Sequence, residues 1–112
     1  MTKLLTVSTA APSREVALRL AESAISACLA AGGQVTGPVA SFFWHEGQFG
    51  ESEEWTVAFK TSEACYADLE AHLIANHKWK NPEVTAVPLS HASASYVEWV
   101  ERVTAQKVPD NG

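Results

Sequence analysis

The chain has 112 residues, the size of a single domain, with 46% hydrophobic and 19% charged residues, which suits a packed core and excludes a disordered segment. Acidic residues number 13 against 8 basic ones, a formal charge of −5 with no basic stripe, so nucleic acid, whose binding rests on phosphate neutralisation by Lys and Arg, is excluded as the expected partner. No run approaches the ~18 apolar residues of a membrane span, residues 1–8 lack a secretory signal's long apolar stretch, and 2 cysteines make no disulfide framework. The expectation is one reduced, cytoplasmic domain over 1–112, with an ordered core over about 3–104 and a polar tail over 105–112.

A first strand is predicted over Lys3 to Thr9, where Leu5 and Val7 alternate with Thr6 and Ser8 before a turn at Ala11-Pro12. Ser13 is placed to cap a helix with Glu15 in its first turn, and helix formers continue until Gly32-Gly33. Within that segment Ala17, Leu20, Ala21, Ala24, Cys28 and Ala31 recur at helical spacing, a stripe of small residues suited to lying close on a sheet. The period then changes to two. Val39, Ser41 and Phe43 take one face of a second strand, and Ala40, Phe42 and Trp44 take the other.

His45 to Gly50 reads as a reversal, followed by an acidic, mobile loop (Glu51, Glu53, Glu54) and a third strand over Trp55 to Lys60. Thr61-Ser62-Glu63 opens a second helix whose stripe is Cys65, Leu69 and Leu73, ending near His77. After a loop at Lys78 to Pro82, Val84 to Leu89 forms a last strand, placed at a sheet edge because Pro88 cannot donate a ladder hydrogen bond. Ser93 to Val103 is a third helix with Tyr96, Trp99, Val100 and Val103 on one side.

The order β-α-β-β-α-β plus a C-terminal helix is that of an α+β, ferredoxin-like subunit. Right-handed crossovers then put both long helices on one sheet face. The uncovered face of such a sheet should be polar. Yet Phe42, Phe43 and Trp44 are consecutive, so large apolar groups point both ways. Soluble monomers bury or use patches of that kind. Self-association through the uncovered face and the hairpin is the first expectation; a ligand groove is the alternative.

The residues able to carry chemistry are few. Cys28 and Cys65 read as buried structural thiols with no adjacent cation to activate them. His45, His72, His77 and His91 show no zinc spacing, and there is no Cys-x-x-Cys or His-Glu-x-x-His. His45 beside Glu46, and His77 with Glu83 across a short loop, form two imidazole–carboxylate neighbourhoods able to make an open copper or zinc site, or else are solvated loop residues. Neither Gly32-Gly33 nor Gly47 with Gly50 makes a phosphate loop. Lys60 ahead of Thr61-Ser62 can meet an anion at a helix start, or mark an ordinary cap. No nucleophile has a base beside it and no carboxylates pair for acid–base work, so an enzyme is not expected.

Trp44-His45-Glu46-Gly47 after an aromatic strand resembles the W-x-E-G signature of the CutA (divalent-cation tolerance) family. Phe59-Lys60-Thr61-Ser62, His77 with Pro82-Glu83, Val87-Pro88-Leu89 and Tyr96-Val97-Glu98-Trp99 follow in the family's order, and Leu29-Ala30-Ala31 matches the start of its L-A-A-C-x-N helix end. The resemblance implies a ferredoxin-like subunit in a tight homotrimer, similar to the PII signalling proteins. It also implies a link to tolerance of divalent cations, notably copper, with metal binding in some members and no generally accepted reaction.

The chain departs from that pattern at Gly32, where the family's Cys ends the first helix, and at Gln34, where its Asn follows. Ser8 stands where some members carry Cys, and Lys78-Trp79-Lys80-Asn81 stands where Pro-Tyr and an acid are usual. Without a thiolate a site loses its preference for Cu(I). The resemblance therefore carries over only His77 and Glu83 as metal ligands, with His45 and Glu46 as local extras. Copper or zinc is expected to bind weakly, and no cofactor is required. Two alternatives stand beside this one. The first is a PII-like trimeric sensor taking a small anionic ligand at subunit clefts lined by Lys60, Trp44 and Trp99; the second is a non-enzymatic trimeric scaffold for partner proteins.

Overall fold

Alternating and helical periods resolve, in a computed structural model describing residues 2–107, into β1 (Leu4–Ala11), α1 (Arg14–Ser26), β2 (Gly32–His45), β3 (Gln48–Ser62), a 3-10 turn (Glu63–Cys65), α2 (Tyr66–Asn76), β4 (Thr85–Pro88) and α3 (Ala94–Thr104). The strands form one antiparallel sheet in the order β2-β3-β1-β4. Strand β4 is an edge, as Pro88 demands. The polar tail from 108 onward lies outside the described residues. Among those described, no helix is long and apolar enough to cross a membrane.

Both long helices cover one face. Val16, Ala17, Leu20 and Ala24 of α1 and Leu69 and Leu73 of α2 share a cluster with Leu5, Val7, Val57 and Phe59 from the odd positions of β1 and β3. Phe59 and Leu69 are fully buried at its centre, and losing a buried ring of that kind costs about 3–5 kcal/mol. Thr9 is buried on the same face with its hydroxyl oxygen unpartnered. Helix α3 packs at a corner of the opposite face, where Val100 meets Leu4 and Ala31 and the Thr104 hydroxyl donates to the Val100 carbonyl at 2.8 Å.

Helix α1 stops well before the glycines. Ser13 caps it as expected, accepting from the Val16 N–H at 3.2 Å, but Cys28 adopts φ 58°, a left-handed conformation. The Cys28 N–H donates to Ile25 O and the Leu29 N–H to Ala24 O, the paired bonds of a Schellman ending. Cys28 is thus a helix terminator rather than a stripe residue, and Leu29 to Ala31 lead straight into β2. Gly32-Gly33 open that strand: a Cβ at Gly33 would meet the Phe59 ring at 3.2 Å, so the glycine lets β2 lie against the core aromatic.

The expected acidic loop is strand. Glu46 (φ 50°) and Gly47 (φ 78°) form a two-residue left-handed turn between paired His45 and Gln48, the geometry that matches strand twist. Glu51, Glu53 and Glu54 pair with Phe42, Ala40 and Val39. Because β1 pairs with β3 only from Trp55 onward, residues 48–54 pair with β2 alone and form a two-stranded ribbon beyond the sheet. Phe43 lies over Gly50, whose missing Cβ would sit 2.4 Å from the ring. On the other side Phe49 stacks on Phe42, with centroids 6.2 Å apart, and meets Trp44 edge-on at 5.8 Å.

Candidate functional site

His77 is the C-cap residue of α2. Its ring stacks on Trp79 with centroids 5.3 Å apart. Nε2 lies 2.7 Å from the Ala10 carbonyl oxygen, and the Trp79 backbone N–H donates to Nδ1 over 3.1 Å. A carbonyl oxygen only accepts, so Nε2 carries the proton and the Nδ1 lone pair is occupied. A metal requires a free ring lone pair, and in this arrangement His77 has none. It ties the loop after α2 to the end of β1.

Glu83 is exposed and accepts from the Thr85 hydroxyl at 3.1 Å. The structure records no hydrogen bond or ion pair between it and His77 among the described residues. At the ribbon tip His45 Nε2 lies 3.7 Å from Glu46 Oε1, with side chains 76% and 84% exposed. At ~3.4 Å per residue the ribbon carries that pair about 20 Å beyond the end of β1, so the two neighbourhoods are separate. No group of three or more His, Cys, Asp or Glu side chains able to hold a metal is found among the described residues. Among the described residues, the side chains of one chain therefore do not fit a resident metal ion.

The cleft residues divide in the same way. Lys60 pairs with Gly32 across β3 and β2, and Trp99 Cη2 stands 3.7 Å from where a Gly32 Cβ would be. Lys60 and Trp99 thus flank one glycine, at the corner where α3 meets the sheet. Trp44 pairs with Phe49 near the ribbon tip, about 35 Å from Lys60 at ~3.4 Å per residue.

Cys28 and Cys65 are both free thiols. Burial pushes the Cys65 thiol up, against a Thr61 hydrogen bond and the positive charge of Lys107. Lys107, which also pairs with Asp68, corrects the expectation that no cation lies near either cysteine. The Tyr66 hydroxyl donates to Glu70 at 2.8 Å, and that bond pushes its pKa up. Besides the ring bonds of His77, one further contact has no trace in the sequence, Ser23 Oγ to His72 Nε2 at 2.9 Å. It joins two helices across 49 positions, and neither residue belongs to a motif that could have revealed it.

A family model described as CutA1 divalent ion tolerance protein matches residues 5–103. The chain is 35% identical over 95 residues to the chloroplastic Protein CutA 1 of Oryza sativa subsp. japonica, covering 85% of this chain and 54% of that protein. It is 30% identical over 91 residues to the divalent-cation tolerance protein CutA of Archaeoglobus fulgidus, covering 81% and 88% respectively. The crystal structure of CutA1 from Oryza sativa is similar at a TM-score of 0.87 with 33% identity, covering 91% of this chain and 94% of that one. The chain spans about half the length of the curated plant relatives it matches. The Archaeoglobus relative is named for cation tolerance and not for a reaction.

Proposed function

Because the chain belongs to the CutA1 divalent ion tolerance family, we propose that it serves the response to divalent metal ions, copper among them, as a non-enzymatic homotrimer of ferredoxin-like subunits. The observation that carries this reading is the ribbon. Phe42 is 60%, Phe49 63% and Trp44 75% exposed in a single chain, on a hairpin whose outer half has no third strand. A two-stranded hairpin is marginally stable in water on its own, and rings of that size are buried by something. Neighbouring copies that cover them remove both difficulties, and the strand order β2-β3-β1-β4 supports the ferredoxin-like, PII-like arrangement.

The cation is cargo in this reading, held weakly. His77 is committed to Ala10 and Trp79, so the pair that remains open to an ion is His45–Glu46, and two exposed ligands make a weak site. The cytoplasmic placement belongs to the same proposal, supported by two free thiols of the kind a reducing compartment preserves. A second reading rests on the Lys60–Trp99 corner beside Gly32: a small anion bound there, with a neighbouring copy supplying Trp44, makes the trimer a sensor.

Sedimentation velocity at micromolar concentration tests the assembly. A chain of 12.1 kDa should run as a particle of about 36 kDa, three copies with cyclic symmetry. A stable 12.1 kDa particle overturns the reading. Zinc and copper titration of wild type against His45→Ala tests the cargo site, and equal heats remove it.

A further inference from the structure

Helix α1 and the end of α2 border an open groove of about 530 Å³, within the size range of small-molecule sites. One wall presents Arg19, Glu22 and Ser23, spaced so that they share a helix face; the other presents Asn76, His77 and Lys78. In a chain of formal charge −5 this groove gathers two cations from opposite walls. Neither Arg19 nor Lys78 has an ion-pair partner among the described residues, whereas Lys3 pairs with Glu63 and Lys107 with Asp68.

The wall is held in place. Both nitrogens of His77 are engaged by backbone groups, which fixes the residue directly before Lys78. Asn76 donates one amide hydrogen to the His72 carbonyl at 2.8 Å and keeps a second to offer. The Ser23 hydroxyl donates to the Leu20 carbonyl at 3.2 Å, with His72 Nε2 2.9 Å from its oxygen, so its one proton is already engaged and it braces the wall against α2. Glu22 is the only carboxylate lining the groove among the described residues.

We propose that this groove binds a small dianion, a dicarboxylate or a phosphate group, through the guanidinium of Arg19 and the ammonium of Lys78. Arginine's planar fork suits either anion bidentately, and lysine adds a point charge. The second amide hydrogen of Asn76 serves a remaining oxygen. The site lies within one chain, apart from the Lys60–Trp99 corner and from the ribbon, so it stands or falls independently of the trimer.

Titration of the full chain with succinate and with inorganic phosphate in about 50 mM salt, followed by calorimetry and amide chemical shifts, tests this. The expected result is saturable binding of at least one probe, with shifts at Arg19, Asn76 and Lys78. Arg19→Gln and Lys78→Gln should each weaken it about tenfold, the scale of losing a charge-assisted contact. Glu22→Gln should strengthen it about twofold by removing a like charge, an outcome that misfolding cannot imitate. Saturation by succinate alone identifies a carboxylate site, and by phosphate alone a phosphate site. No saturation by either probe up to about 10 mM overturns the proposal, since that is weaker than any useful small-ligand affinity. Affinity unchanged in both the Arg19 and Lys78 variants overturns it too, as do shifts confined to residues around Lys60 and Trp99.

Discussion

Trp44→Ser isolates the contribution of the ribbon to assembly. In the single chain the indole is 75% exposed and touches Phe49 only edge-on, at 5.8 Å. An aromatic side chain buries ~200 Å² when fully covered, so about 150 Å² is left for a neighbouring copy to cover. At ~25 cal/mol per Å² that area is worth about 4 kcal/mol per subunit, and a cyclic assembly repeats the loss at every interface. One such loss, at 1.4 kcal/mol per factor of ten, moves a single contact by nearly three decades in concentration. The variant should therefore populate a 12.1 kDa species in sedimentation velocity over about 1–100 µM where wild type remains assembled. Trp44 lies outside both core clusters, so far-ultraviolet circular dichroism should show the fold retained. Wild-type sedimentation by the variant at the lowest concentration would refute the burial of this ring between copies.

Other consequences follow from single side chains. His77→Ala deletes the bond to Ala10 and the one from Trp79; at about 1 kcal/mol each, the melting temperature should drop by roughly 5–10 °C. Copper and zinc heats should stay at the wild-type value, and lost heat with an unshifted melt would make His77 a ligand. Thr9→Val removes a buried hydroxyl that has no partner and should raise stability by about 1 kcal/mol, read as a higher urea midpoint at constant m; a lower midpoint shows the hydroxyl to be partnered after all. Burial holds the Cys65 thiol above its ordinary range, so its stabilising effect is complete below the unfolded thiol's pKa and fades as pH rises toward the folded value. Urea midpoints should fall across alkaline pH, and the fall should shrink in Cys65→Ala. At pH 8 a thiol reagent should label the half-exposed Cys28 first and Cys65 only after unfolding.

The order of elements was legible because the period changes cleanly at each junction. Of the α1 stripe, Ala17, Leu20, Ala21 and Ala24 reach the core as read while Cys28 and Ala31 fall outside the helix, and the α2 stripe reaches it whole. What escaped was local chemistry without a one-dimensional trace. Helix α1 ends on Cys28 in a left-handed conformation that glycine usually supplies, so the next glycines, Gly32-Gly33, drew the boundary to themselves. Glu51, Glu53 and Glu54 read as a solvated loop because strand propensity disfavours them, yet each has a cross-strand partner on β2, and pairing overrides propensity on a ribbon exposed to water. Ser62 resembles a helix cap but makes no side-chain cap bond, and a 3-10 turn intervenes before α2. At the candidate site the position of His77 at the end of α2 was legible from the helical stripe that runs out there. Its ring bonds were not: Ala10 lies 67 positions away, and backbone carbonyls carry no sequence signature.

The two charged features of the molecule obey different logic. Lys60 and Trp99 share a corner, but Trp44 sits about 35 Å off along the ribbon at ~3.4 Å per residue, so no single chain can close all three around one ligand. Any cleft built from all three would need a neighbouring copy, of the kind the proposed assembly would set over Phe42 and Phe49. Arg19 and Lys78 need no such partner, because α1 and the end of α2 already face each other across the groove. Each copy brings a formal charge of −5, so gathering three copies raises like-charge repulsion. Added salt screens that repulsion and should favour the proposed trimer, while it should weaken the hold of Arg19 and Lys78 on a dianion. The two equilibria therefore move in opposite directions with ionic strength, and a ligand effect that follows one cannot be mistaken for the other.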